Sequence, residues 1–139
     1  MTNISTIENK ISSIERYLKI LEEYKKYSQK EIVNNINLRG ATERYLYLAC
    51  QAAIDLAEAI VSFKKFRKPA ELNESFYILQ EEGILNNDLT NSLVDIVGFR
   101  NIMAHDYEKI NYDIVYDVLQ NRLKDINNFV KEIKNFLNL

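Results

Sequence analysis

A single proline and three glycines punctuate this chain of 139 residues. With so few turn formers among many Ile, Leu, Lys, Glu and Asn residues, a fold of tight hairpins is excluded and helices are expected. One cysteine, Cys50, leaves no partner for an internal disulfide and no multi-cysteine metal site. It sits in YLYLACQAAIDLA, where the default role is a small buried apolar one. The one histidine and one cysteine are too few for a zinc site, so no metal and no cofactor is expected. A phosphate-binding G-x-x-x-x-G-K loop is also absent. No signal-peptide pattern opens the sequence, and no apolar run approaches the roughly 18 residues that span a bilayer. A cytoplasmic protein without a membrane partner is therefore expected.

Charge is nearly balanced, at −2 with a pI near 5.5, so nothing draws nucleic acid to the molecule as a whole. Contact with RNA would need a local basic patch, and no DNA partner is expected. KKFRK, Lys64 to Lys68, is one such patch. The favoured reading is a solvated helix end whose cations suit the negative dipole terminus.

What the chain does hold is apolar residues, 47% of the total, enough for one sizeable core in one domain over residues 1–139. Ile4, Ile7, Ile11, Ile14, Leu18 and Leu21 alternate by three and four, which predicts a first helix to about Tyr27. Ser28 can cap a short helix, and Gly40 marks a break or bend. A second long helix is predicted over about Ala41 to Phe66, ended by Pro69, with Tyr45, Leu48, Ala49, Ala52, Leu56, Ile60 and Phe63 on one face. Asn73 caps a short helix closed by Gly83, and Asp88 caps the next. Asn111 caps a last helix, with Val115, Leu119, Ile126, Val130, Ile133 and Leu137 as its stripe and Leu123 and Phe129 alongside. The fold class is all-α, an up-and-down bundle of four main helices with one or two short extra ones.

The helix after Asp88 breaks the pattern. Leu93, Val94, Ile96, Val97, Phe99, Ile102, Met103 and Ala104 cover almost its whole circumference. Such a helix is central, or packs on its own domain behind and on a second subunit in front. It ends in RNIMAHDY, residues 100–107, which contains the lone histidine. At 100° per residue, Arg100 interrupts an apolar line of Leu89, Leu93, Ile96, Met103 and Tyr107. Asn101 and His105, four apart, stand one above the other. A guanidinium, an amide, an imidazole, a carboxylate (Asp106) and a phenol (Tyr107) thus gather within about two turns. Core packing does not require that grouping, and burying it unpaired would cost several kcal/mol. In a purely structural reading, His105 caps the helix C-terminus and Arg100 pairs with a carboxylate elsewhere.

RNIMAHDY resembles the signature of the HEPN superfamily: arginine, a polar residue, a short interval, histidine, any residue, tyrosine. VDIVGFRNIMAHDYEKINYDIVYDVL and RYLYLACQAAIDLAEAI, Arg44 to Ile60, are similar to the HepT branch. Proteins of that branch are the toxin halves of two-gene toxin–antitoxin modules. The resemblance runs from about Ser5 to Val130. It implies a metal-independent endoribonuclease that cleaves tRNA or mRNA as a homodimer. Arg100 and His105 would be catalytic, assisted by Asn101, with both subunits contributing to one cleft. The resemblance further implies a partner, a minimal nucleotidyltransferase antitoxin, that silences the toxin by transferring AMP to Tyr107.

The residues suit that chemistry. Cleavage by the RNA's own 2′-OH needs one group to take a proton, one to give it, and a cation at the phosphoryl oxygens. Histidine titrates near neutrality, and arginine stays charged and matches phosphate geometry. Since the chain has one histidine, a pair of imidazoles requires two subunits. Gln51 and Asp55, four apart on the second long helix, are further candidates to line the cleft, with Asp55 orienting His105 or pairing Arg100. Tyr112 and Tyr116 lie one turn apart just past the motif, and of the nine tyrosines these two are expected to border the cleft. Glu43 and Arg44 read as surface charges or as part of a bundle salt bridge. The alternative function is a non-catalytic HEPN subunit that presents nucleotide or substrate to a nucleotidyltransferase. A plain structural bundle with a buried polar network is a third reading.

Overall fold

The computed structural model describes residues 2–105 and 110–139. Among the described residues seven α-helices follow in order: α1 (Ile4–Tyr24), α2 (Gln29–Asn34), α3 (Ile36–Phe63), α4 (Glu74–Glu81), α5 (Asn87–His105), α6 (Tyr112–Asp117) and α7 (Leu123–Leu137). Among the described residues there is no strand. The long helices α1, α3, α5 and α7 form the expected bundle, and α2 and α4 are the short extras. α6 runs through a π turn, Val118–Arg122, into α7, where the sequence pattern predicts one continuous helix. The wide turn keeps Val115, Val118, Leu119 and Leu123 all buried on the core side.

The stripes predicted for α1 and for α6–α7 are the faces that bury. Ile7, Ile11, Ile14, Leu18 and Leu21 line the core from α1, and Ile126, Phe129, Val130 and Ile133 from α7. Phe129 meets Phe76 of α4 edge-to-face, with centroids 5.3 Å apart. The central position belongs to α3 rather than to the motif helix. α3 packs against α1, α2, α4, α5 and α7, and buries residues around most of its girth. By length and composition α3 could cross a bilayer, contrary to the expectation that no segment approaches that limit. Its central place in the bundle accounts for that apolar character.

Several boundaries differ from those read in the sequence. Gly40 lies inside α3, which starts at Ile36 because the Asn35 side chain caps it by accepting from the N–H groups of Asn37 and Leu38. α3 ends before Pro69. Lys65 takes a left-handed φ of 56°, Phe66 N–H donates to Val61 O, and Lys65 N–H donates to Ser62 O. These two bonds make a Schellman closure with lysine in the place glycine usually takes. Gly83 (φ 78°) closes α4 in the same way. Asn73 makes no side-chain cap bond, and Asn86 rather than Asp88 caps α5, its Oδ1 accepting from Leu89 N–H at 2.8 Å. Ser28 and Glu31 form a full capping box on α2. Asn111 caps α6 as expected.

Candidate functional site

The site begins with a polar line down α3. Glu43, Tyr47, Gln51 and Asp55 are four apart, so each stacks over the next with a slow drift around the helix. In the middle of this line, Tyr47 and Gln51 face the C-terminal half of α5. Arg100 meets it there, half-buried, from the position where the apolar line of α5 is broken.

The guanidinium is held on three sides. Its Nε donates to Gln51 Oε1 at 2.6 Å, Nη1 to Asn101 Oδ1 at 3.0 Å, and Nη2 to the Tyr47 hydroxyl at 3.4 Å. Its Cζ also stands 5.4 Å from the centre of the Tyr47 ring. All three acceptors are neutral. Among the described residues no carboxylate bonds Arg100, so the expected pairing with Asp55 is not made. Asp55 acts one step back, its Oδ1 accepting from Gln51 Nε2 at 2.9 Å. Farther along, the carboxyl of Glu58 is raised above its ordinary value by loss of hydration and then by the charge of Asp55, with Lys10 opposing.

His105 is the last residue of α5 and is exposed. Among the described residues no side chain bonds its imidazole, so the orienting contact from Asp55 is not formed either. Its exposure leaves the ring open to a substrate. Asp106 and Tyr107 lie outside the described residues.

A cleft of about 330 Å³ opens between α3 and the end of α5, lined by Gly40, Glu43, Arg44, Tyr47, Met103 and Ala104. Arg44, exposed, lies over the Tyr47 ring at 5.8 Å, and Arg39 over the Tyr112 ring at 6.0 Å. With Arg100 they set three arginines around this end of the bundle. Glu43 is buried, at 6% exposure, where a surface charge or a bundle salt bridge was expected. It accepts from the Tyr112 hydroxyl at 2.6 Å, which ties α6 to the cleft floor. Tyr112 is not itself among the residues that line the cleft and reaches it only through this bond to Glu43, whereas Tyr116 donates to Tyr27 O.

The KKFRK stretch is largely folded back on the protein. Arg67 bonds both Glu74 and Glu81, and Lys64 lies over Phe63 and Phe136. It fits the solvated helix end better than a free basic patch. Burial pushes the Cys50 thiol up to about 12, which makes it inert as a nucleophile at neutral pH. Among the described residues no group of three His, Cys, Asp or Glu side chains is placed to hold a metal ion.

The residue that sequence reasoning missed is Tyr47. The signal was present: it falls midway in the four-residue spacing from Glu43 to Asp55. Glu43 was read in isolation for the same reason.

Residues 14–133 match the family model Ribonuclease HepT-like. The mRNA nuclease HepT of Shewanella oneidensis is 33% identical over 129 residues, covering 92% of this chain and 96% of that protein. The tRNA nuclease HepT of Aphanizomenon flos-aquae is 31% identical over 139 residues, covering 99% and 95%. A solved structure of the tri-AMPylated Shewanella oneidensis HEPN toxin in complex with MNT antitoxin superimposes with a TM-score of 0.84 at 31% identity, covering 93% of this chain and 96% of the other. The polar line of α3, the broken apolar line of α5 and the whole helical order thus lie in a chain that belongs to the Ribonuclease HepT-like family.

Proposed function

We propose that this protein is the endoribonuclease toxin of a toxin–antitoxin pair, and that Arg100 and His105 carry the chemistry. The observation that carries this reading is the state of Arg100. It is half-buried and fixed by neutral acceptors, and an exposed histidine follows five positions later on the same helix. A guanidinium so placed suits the phosphoryl oxygens of RNA, where negative charge grows as the 2′-OH attacks the phosphorus. His105 exchanges protons with the attacking 2′-OH and the departing 5′-oxygen, without a metal ion. Asn101 assists by holding Nη1. The products are a 2′,3′-cyclic phosphate and a 5′-hydroxyl.

Two imidazoles, one to accept and one to donate, come from two copies of the chain. Ile102 is 41% exposed and lies three residues before His105, on the same side of α5. With Ile114, 46% exposed, it borders a mostly apolar groove of about 340 Å³ between α5 and α6. A second copy seated on that surface brings its own His105 close to the first. This reading places the protein in the cytoplasm, with RNA as substrate.

Control follows from Tyr107, two positions past His105. The solved relative is an AMPylated toxin in complex with MNT antitoxin. In this chain the Tyr107 hydroxyl would attack the α-phosphate of ATP, held by a minimal nucleotidyltransferase, and release pyrophosphate. The bulk and negative charge added there would compete with RNA for Arg100.

The test is the product ends. RNA cut by the purified chain with a chelator present should carry cyclic phosphate and 5′-hydroxyl termini. Products with 5′-phosphate ends, or a strict need for added divalent metal, would overturn this mechanism.

A further inference from the structure

Arginine has five N–H donors and no acceptor. In this site three are engaged, one on each nitrogen: Nε to Gln51, Nη1 to Asn101 and Nη2 to Tyr47. Among the described residues each terminal nitrogen keeps one N–H unused, the pair that a phosphate can bridge. The acceptor at Nε is an amide, and an amide has two ends. If Gln51 turned its nitrogen to Arg100, donor would face donor and the guanidinium would be driven off its seat. Asp55 prevents this. A carboxylate only accepts, so the end of Gln51 that meets Asp55 must be its NH₂, and the oxygen must face Arg100.

We propose that Gln51 and Asp55 are positioning residues for Arg100. Asp55 fixes the amide of Gln51, and Gln51 fixes the guanidinium, which reaches the scissile phosphate aligned and with its charge uncompensated. A carboxylate placed directly on Nε would hold the arginine equally well and cancel the charge it needs. The glutamine between them separates the two tasks. This inference rests on the ribonuclease reading above.

The test is a set of cleavage rates on one RNA, using the full chain and the variants Gln51→Ala, Gln51→Glu, Asp55→Ala, the double Gln51→Ala/Asp55→Ala, and Arg100→Ala. Losing a hydrogen bond to a charged group is worth about 10- to 100-fold, so Gln51→Ala should lower kcat by that much with a smaller change in KM. Asp55→Ala should lose about 10-fold in the native background and nothing further beside Gln51→Ala, since it acts through that residue. Gln51→Glu keeps the shape and the acceptor at Nε but loses the NH₂ that Asp55 accepts and sets two carboxylates together, so it is also made as Gln51→Glu/Asp55→Asn, which restores that bond. The paired variant should retain Tm, and both should lose more activity than Gln51→Ala and flatten the dependence of KM on salt, because one cation fewer faces the phosphate. A merely structural network would instead lose Tm and activity together. Losses that multiply in the double variant, or a Gln51→Glu variant as active as the native chain, would overturn the positioning role. Native cleavage that survives in Arg100→Ala would overturn the catalytic role of Arg100 itself, and the positioning role with it.

Discussion

Arg100 and Gln51 stand 49 positions apart in the chain and 2.6 Å apart in space, the guanidinium Nε donating to the amide oxygen. This bond joins the motif helix to the central helix and sets the direction in which the positive charge points. The site is therefore a product of two helices, although its signature belongs to one.

Replacement of Arg100 by lysine tests the fork geometry. A lysine is a point charge on a flexible stem and cannot reach the Gln51, Asn101 and Tyr47 oxygens together. Arg100→Lys should lower RNA cleavage by about 100-fold, the scale of losing an oriented transition-state donor. Cleavage rates on one substrate check this, and a lysine variant within a few-fold of native would contradict it.

The apolar surface on α5 and α6 makes a second expectation. Ile102→Glu places a charge on an exposed position, so folding should be untouched while association is lost. Light scattering should show a dimer for the native chain and a monomer for the variant, and cleavage should fall with it. A dimeric, active Ile102→Glu variant would remove this face from the assembly.

Much of this architecture was legible in the sequence. The three-four spacing of Ile7, Ile11, Ile14, Leu18 and Leu21 marked the buried face of α1, because a helix on a core must bury one stripe. Arg100 was visible as a break in an apolar line. What was hidden depends on contacts between helices. Glu43 is buried because Tyr112, 69 positions on, supplies its hydrogen bond. Asp55 meets Gln51 rather than His105, because His105 lies at the exposed end of α5. The closure of α3 at Lys65 was also hidden, since the sequence offers a more obvious stop in Pro69. The place of Asp106 and Tyr107 lies outside the described residues.

Lys65 itself offers a stability test. A left-handed φ costs a side-chain-bearing residue roughly 1–2 kcal/mol, and glycine avoids that strain. Lys65→Gly should raise stability by about 1 kcal/mol, read as a higher denaturant midpoint with an unchanged slope. A lower midpoint would mean that the side chain contributes more than the strain costs.

Arg67, Glu74 and Glu81 should give an acid-sensitive contribution. Hydrogen bonds from Arg67 hold both carboxyls below the ordinary value, with further help to Glu74 from the Ala70 N–H. Their folded-state values are depressed, so the contribution is present above the unfolded value of about 4.3 and is lost as pH falls through the folded values. Arg67→Gln should therefore be less stable than native at neutral pH and should approach it near pH 2. Arg67 and Glu81 are about half exposed and Glu74 about a quarter, so the effect should be small and should fade with salt. A deficit that does not change with pH would contradict the assignment.

The central claim is that Arg100 and His105 cut RNA. The most direct measurement incubates total RNA and a tRNA pool with the native chain, Arg100→Ala and His105→Ala, side by side and with a chelator present. The intact mass of each sample is recorded to show whether Tyr107 carries AMP. Cleavage by the unmodified native chain, abolished in both variants while their helical signal and dimer persist, is the expected outcome. Full activity in either variant, or an unmodified native chain that leaves all RNA intact, would contradict it.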